Sequence, residues 1–180
     1  MTRSRILITL MLLIAITACS NKTSNNNVIK EIKGNGRFVQ QISIGDIDTI
    51  VSTNPFTIIY CWGVWCKPCI NSLQNEISKY LDTANTDSIK FIPLCIGGNE
   101  NKVLKVLNSI NFQYGSYLFA SGTAFDKYVL NNKFSNLFEN YKKVNYVPFV
   151  LLLNNKKKIL NYDTIDERYY TLYEVFEKIK

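Results

Sequence analysis

The stretch Thr57-Ile58-Ile59-Tyr60-Cys61-Trp62-Gly63-Val64-Trp65-Cys66-Lys67-Pro68-Cys69 governs the reading of the whole chain. Thr57 to Trp62 is a β-branched and aromatic run preceded by Asn54-Pro55, which predicts a buried strand. From about Cys66 to Leu81 the apolar residues Ile70, Leu73, Ile77 and Tyr80 recur at the spacing of one helix face. Two cysteines, one turn apart, therefore stand where a buried strand becomes a helix.

That location has chemical consequences. The first turn of a helix offers unpaired amide N–H groups and the positive end of the dipole, both of which stabilise an anion. The thiolate is the reactive form of cysteine, so Cys66 is expected to ionise below the roughly 8.5 of a free thiol. The dipole accounts for roughly 0.3–2 kcal/mol of this, up to about one pKa unit. Lys67 adds a positive charge. Pro68 stiffens the first turn, where its missing N–H costs little. The expected chemistry is thiol–disulfide exchange: Cys66 attacks a disulfide as nucleophile, and Cys69 resolves the mixed disulfide. A purely structural bridge across one turn would constrain almost no chain. A four-cysteine metal site would need Cys61 and Cys95, which sit singly inside apolar strands; no metal and no cofactor is expected.

Working outward, Ile29–Lys33 and Arg37–Ile44 read as two strands joined at Gly34-Asn35-Gly36, an N-terminal β-hairpin. Ile89–Ile96 is a second buried strand ended by Gly97-Gly98. Asn99 caps a helix from Glu100 to Ile110, with Val103, Leu107 and Ile110 on one face. A short strand near Tyr117–Ala120 and an irregular or helical stretch follow. Val147–Leu153 and Lys158–Tyr162 read as a hairpin turning at Asn154-Asn155-Lys156-Lys157. Thr164-x-x-Glu167 reads as a capping box for a last helix, with Leu172, Val175, Phe176 and Ile179 inward. Crossover helices demand parallel pairing in the first half, and the hairpin antiparallel pairing in the second. The fold class is α/β: a central mixed β-sheet flanked by helices.

The chain's 180 residues suffice for one domain and a short targeting segment. It contains no histidine, which excludes His-based acid–base catalysis, Cys/His nucleophile pairs and mixed Cys/His zinc sites. The net charge is +7. Setting aside Arg3 and Arg5 leaves 19 basic against 14 acidic side chains, or +5, which does not imply nucleic acid. Lys156-Lys157-Lys158 reads as a solvated turn.

The N-terminus reads as an address. A basic start, Thr2 to Arg5, precedes the 13-residue apolar stretch Ile6–Ala18, the length of a signal-peptide core rather than a membrane span. Ile16-Thr17-Ala18-Cys19 resembles a bacterial lipobox, which implies cleavage before Cys19 and its lipidation. Residues 1–18 are thus expected to be a lipoprotein signal peptide, 19–28 a polar tether, and 29–180 the folded domain.

Trp62-Gly63-Val64-Trp65-Cys66-Lys67-Pro68-Cys69 resembles the active-site segment of thioredoxin-like proteins, especially the membrane-tethered TlpA/ResA-like branch. That branch has the same Trp-x-x-Trp-Cys-x-Pro-Cys layout after a strand. Far along the chain, Tyr146-Val147-Pro148 precedes a strand, where the family has a cis-proline facing the cysteines. The resemblance covers roughly residues 37–180. It implies a thioredoxin-like fold, Val147 and Pro148 as substrate-binding residues, and Trp65, Lys67 and Pro68 tuning the pair. It further implies an extracytoplasmic enzyme on the bacterial envelope, periplasm-facing, exchanging disulfides with proteins as a reductant and recharged by an electron donor. The chain departs from the family at two places. Tyr60 and Ser72 stand where members carry an acid, and Glu76 lies further along the helix. The alternative is a lipoprotein using this domain as a non-enzymatic binding module.

Overall fold

A computed structural model describes residues 38–83, 89–119, 126–163, 165 and 168–178. The leader, Cys19, the tether, the strand expected at Ile29–Lys33 and its turn lie outside them. No helix among the described residues is long and apolar enough to cross a membrane.

The elements run β1 (Val39–Gln41), α1 (Ile44–Thr53), β2 (Phe56–Trp62), α2 (Lys67–Ser72), a π-helical turn (Leu73–Ile77) and α3 (Ser78–Thr83). Then follow β3 (Ile89–Ile96), α4 (Glu100–Ser109), β4 (Ser116–Phe119), α5 (Asp126–Leu137), β5 (Phe149–Asn154), β6 (Tyr162–Asp163), β7 (Arg168–Tyr169) and α6 (Leu172–Lys178). Five strands form one sheet in the order β1-β4-β3-β2-β5. The pairs β1/β4, β4/β3 and β3/β2 are parallel, and β2/β5 is antiparallel. This is the expected mixed α/β architecture of the thioredoxin-like fold.

The sheet centre is apolar because its strands are buried on both faces. On one face Ile58, Tyr60 and Trp62 of β2 join Phe91 and Cys95 of β3 and Val150 and Leu152 of β5. Leu73 and Ile77 of the π turn and Val175 and Phe176 of α6 cover them, with Tyr80 stacked on Phe176 at 3.8 Å between ring centroids. Ile47, Ile50 and Val51 of α1 are buried outside that cluster, against β2 and β5, and cover the other face.

Several boundaries depart from expectation. The strand expected over Arg37–Ile44 shrinks to Val39–Gln41 and lies parallel to β4, because Ser43 ends it by capping a helix. The Ser43 hydroxyl accepts the Asp46 amide at 3.2 Å, and the Asp46 carboxylate accepts the Ser43 amide at 2.8 Å. Helix α1 was not foreseen: Gly45, Ile47, Thr49, Ile50, Val51 and Thr53 are weak helix formers, and burial of one face overrides their propensity. The predicted helix over Cys66–Leu81 forms but widens into a π turn, where the Ser78 hydroxyl donates to the Leu73 carbonyl at 2.9 Å.

The strand expected at Lys158–Tyr162 does not form as a ladder. Its turn is present, with the Asn154 side chain accepting the amides of Lys156 and Lys158 and with Lys157 at φ +64°. Beyond it, the Leu160 amide donates to the Leu152 carbonyl, and then a side chain takes over from the backbone. Asn161, fully buried, accepts the Leu152 amide and donates to the Val150 carbonyl, each at 2.8 Å. A carboxamide thereby covers the edge of β5, which an exposed strand would leave open. The last helix begins later than the expected box: Thr164 and Glu167 lie outside the described residues, and Thr171 with Glu174 forms the cap.

Candidate active site

Strand β2 delivers the chain to the carboxyl end of the sheet's interior at Trp62, and the Cys66 amide turns back onto the Gly63 carbonyl at 2.9 Å. Cys66 is the N-cap of α2, and its sulfur accepts the Cys69 amide at 3.2 Å. Pro68 lies in the first turn, where no backbone donor is needed. Cys66 and Cys69 form a disulfide, with Cα atoms 5.2 Å apart. Cys69 is fully buried and Cys66 is 7% exposed, so of the pair Cys66 alone reaches the surface.

The loop before β5 closes the other side. The Val147–Pro148 peptide bond is cis, and the Val147 carbonyl oxygen lies 3.6 Å from the Cys66 sulfur. This loop is held by Asn131 of α5, a residue that sequence reasoning missed. Its amide donates to the Val144 carbonyl at 3.0 Å, and its oxygen accepts the Val144 amide at 2.9 Å and the Tyr141 hydroxyl at 2.7 Å. An asparagine in a helix of otherwise weak amphipathic pattern carries no local signal of such a partner.

The two tryptophans differ. Trp62 is fully buried, and its Nε1 donates to the Ser116 hydroxyl at 3.1 Å, which in turn donates to the Pro93 carbonyl at 2.9 Å. Trp65 is 64% exposed beside Cys66. Its ring lies across Gly63, where an added Cβ would sit 2.8 Å from it, and reaches Gly97, whose φ is +79°. The sequence marked Gly97 only as a strand end; Gly63 makes room for the ring, and Gly97 serves the backbone turn its positive φ requires. Lys67 is exposed.

Behind Cys69, Tyr60 and Ser72 occupy the positions where an acid was expected from the resemblance. The Tyr60 hydroxyl donates to the Cys69 carbonyl at 3.1 Å, and the Ser72 side chain stands beside the phenol. Burial holds the Tyr60 phenol well above its ordinary pKa, so this pair of hydroxyls stays neutral.

Cys61 and Cys95 are buried free thiols. In the parallel register Cys61 lies opposite Leu94 and Cys95 opposite Trp62, so the pleat points the two sulfurs to opposite faces of the sheet. Burial pushes the Cys61 thiol well up and that of Cys95 to about 12. Among the described residues no group of three or more metal-ligating side chains gathers.

No protein-family profile and no curated protein matches this chain. Solved structures do. The thioredoxin domain of a thiol-disulfide oxidoreductase from Bacteroides vulgatus is 13% identical at a TM-score of 0.48, covering 71% of this chain and 81% of that one. StoA from Bacillus subtilis is 19% identical at 0.49, covering 71% and 84%. A putative thiol-disulfide oxidoreductase, also from Bacteroides vulgatus, is 17% identical at 0.48, covering 76% of each chain. Similarity of this size assigns no substrate. The chain's own geometry is a disulfide-forming Cys-x-x-Cys at a helix start, beside a cis-proline loop, at one end of a five-stranded mixed sheet, an arrangement suited to thiol–disulfide exchange.

Proposed function

We propose that this chain is a lipid-anchored, extracytoplasmic reductant of protein disulfides, with Cys66 as nucleophile and Cys69 as resolving thiol. One observation carries the assignment of roles. The Cys66 sulfur caps the helix and accepts a backbone amide, and Cys66 keeps some exposure, whereas Cys69 is fully buried. In the reduced protein the Cys66 thiolate attacks a substrate disulfide, forms one S–S bond to a substrate sulfur and expels the other as a thiolate. The Cys69 thiolate then attacks the Cys66 sulfur and closes the intramolecular disulfide. The second substrate sulfur leaves as a thiolate, and both substrate thiolates take protons from water. Two electrons have passed to the substrate, and an external dithiol donor restores the pair.

The Val147 carbonyl beside Cys66 supports a substrate chain lying extended along Tyr146–Val147, with Pro148 behind it. Trp65, Lys67 and Pro68 tune the sulfur. The envelope location and the anchor at Cys19 rest on the basic-apolar-small pattern of residues 1–19.

The test is insulin reduction with trapping. Cys66→Ser should abolish turnover. Cys69→Ser should accumulate a mixed disulfide with substrate, visible as a dithiothreitol-sensitive adduct by mass spectrometry. Undiminished turnover by Cys66→Ser would overturn the assignment and leave a binding module.

A further inference from the structure

A cavity of about 310 Å³ lies next to the cis-proline loop, with Tyr60, whose hydroxyl donates to the Cys69 carbonyl, in its wall. Its walls come from three parts of the chain: Tyr60 with Ser72 and Glu76 below Cys69, Tyr146 and Pro148 of the cis-proline loop, and the segment Tyr169–Tyr173. The volume is at the lower end of pockets that hold small ligands, roughly 300–1,000 Å³, and suits one long side chain. The site extends the proposed function, because Tyr146 and Pro148, the chain neighbours of the Val147 whose carbonyl lies 3.6 Å from the Cys66 sulfur, both line the cavity.

The chemistry of the walls is uneven. Five tyrosines line the cavity, and Glu76 is the only charged side chain among its described lining residues. Tyr146 is 57% and Tyr173 69% exposed, so their rings stand at the mouth with faces open to solvent. Glu76 sits within the π turn, whose wider register departs from the rows of the surrounding helix. Aromatic faces attract a cation, and a carboxylate at the same mouth adds a charge partner. Arg168 already rests over the Tyr170 ring at 5.8 Å, but its guanidinium is held by both carboxylate oxygens of Glu174 at 2.8 and 3.0 Å. The charge of Glu76 is left to act on an incoming group.

We infer that this cavity is a specificity pocket for a basic side chain, arginine or lysine, carried by the substrate polypeptide close to its reacting cysteine. A chain extended along Tyr146–Val147 places alternate side chains on opposite sides, and one side faces Pro148 and the tyrosines. Such a pocket would direct Cys66 toward disulfides in basic segments.

The experiment uses the reduced full-length protein and three short peptides. Each carries one cysteine in a mixed disulfide with a chromogenic aryl thiol, two residues from arginine, norleucine or glutamate. Release of the aryl thiol gives the second-order rate. The arginine peptide should react about fivefold faster than the norleucine peptide, and the glutamate peptide slowest. In Glu76→Gln the arginine-to-norleucine ratio should fall towards that of the aromatic walls alone, about twofold. Equal rates for all three peptides, a preference for glutamate, or a ratio unchanged in Glu76→Gln would overturn the pocket's role while leaving the oxidoreductase reading intact. No reaction with any peptide would remove that reading and this inference together.

Discussion

At the scale of single residues, the site is a contrast between four cysteines of one fold. Cys66 has a helix start, an amide donor and a path to solvent, whereas Cys61 and Cys95 have only apolar surroundings. Burial raises a thiol's pKa and leaves it inert. After reduction, iodoacetamide at pH 7.5 should label Cys66 within minutes and leave Cys61 and Cys95 unlabelled until denaturant is added, as peptide mapping would show. Labelling of Cys95 in the native protein would contradict the burial described. Gly63 is the matching steric residue. In Gly63→Ala the new methyl would come within about 2.8 Å of the Trp65 ring, so this largely exposed ring must shift. Near-ultraviolet circular dichroism should lose tryptophan intensity, while the unfolding free energy changes by under about 1 kcal/mol.

At the scale of elements, termini and turns carry the information. Helix α6 starts with Thr171 and Glu174 bonding reciprocally, and Glu174 also grips Arg168. Together these hold the Glu174 carboxyl at about 2, against an ordinary 4.5, with the Arg168 hydrogen bonds the largest cause. A lowered native pKa means the stabilising effect is complete above about 4.5 and is lost as pH falls through about 2. Urea melts of wild type and Glu174→Gln should therefore differ at pH 7 and converge as pH approaches 2. Because the pair is exposed, 1 M salt should shrink the difference at pH 7. The cap at Asn99 and strands β2 and β3 were legible in advance, since caps and apolar runs are written in adjacent residues. Helix α1 was not, because its β-branched residues favour a strand and only the core beneath it decides otherwise.

At the scale of the whole molecule, two buried asparagines tie distant segments together. Asn161 completes the edge of β5, and Asn131 fixes the loop that brings Val147 to Cys66. Replacing Asn131 with alanine leaves the Val144 amide and carbonyl buried without their partner, at a cost of about 1–3 kcal/mol. The loop carrying Val147 loses its anchor, so insulin reduction should fall further than the population of folded protein does. Circular dichroism melts and turnover, measured on the same sample, separate the two effects. Turnover that tracks folded fraction alone would make Asn131 purely structural.

Residues 57–69 alone determined that the Cys66 sulfur stands at a helix start, because a strand, a turn and a helix start are set by neighbours within a few positions, and so is the helix-start field. The absence of histidine was equally plain and excluded His-based acid–base catalysis and Cys/His nucleophile pairs. Only the tertiary structure decided what surrounds that sulfur. Val147 lies 81 positions away and reaches it through a loop pinned by Asn131. Tyr60 and Ser72 meet through packing, and Cys61 and Cys95 part because the strand register turns them to opposite faces. The cavity beside them is built from three separate segments. Contacts of this kind depend on how faces pack across the sheet, and local periodicity says which face is apolar without saying which partner it meets.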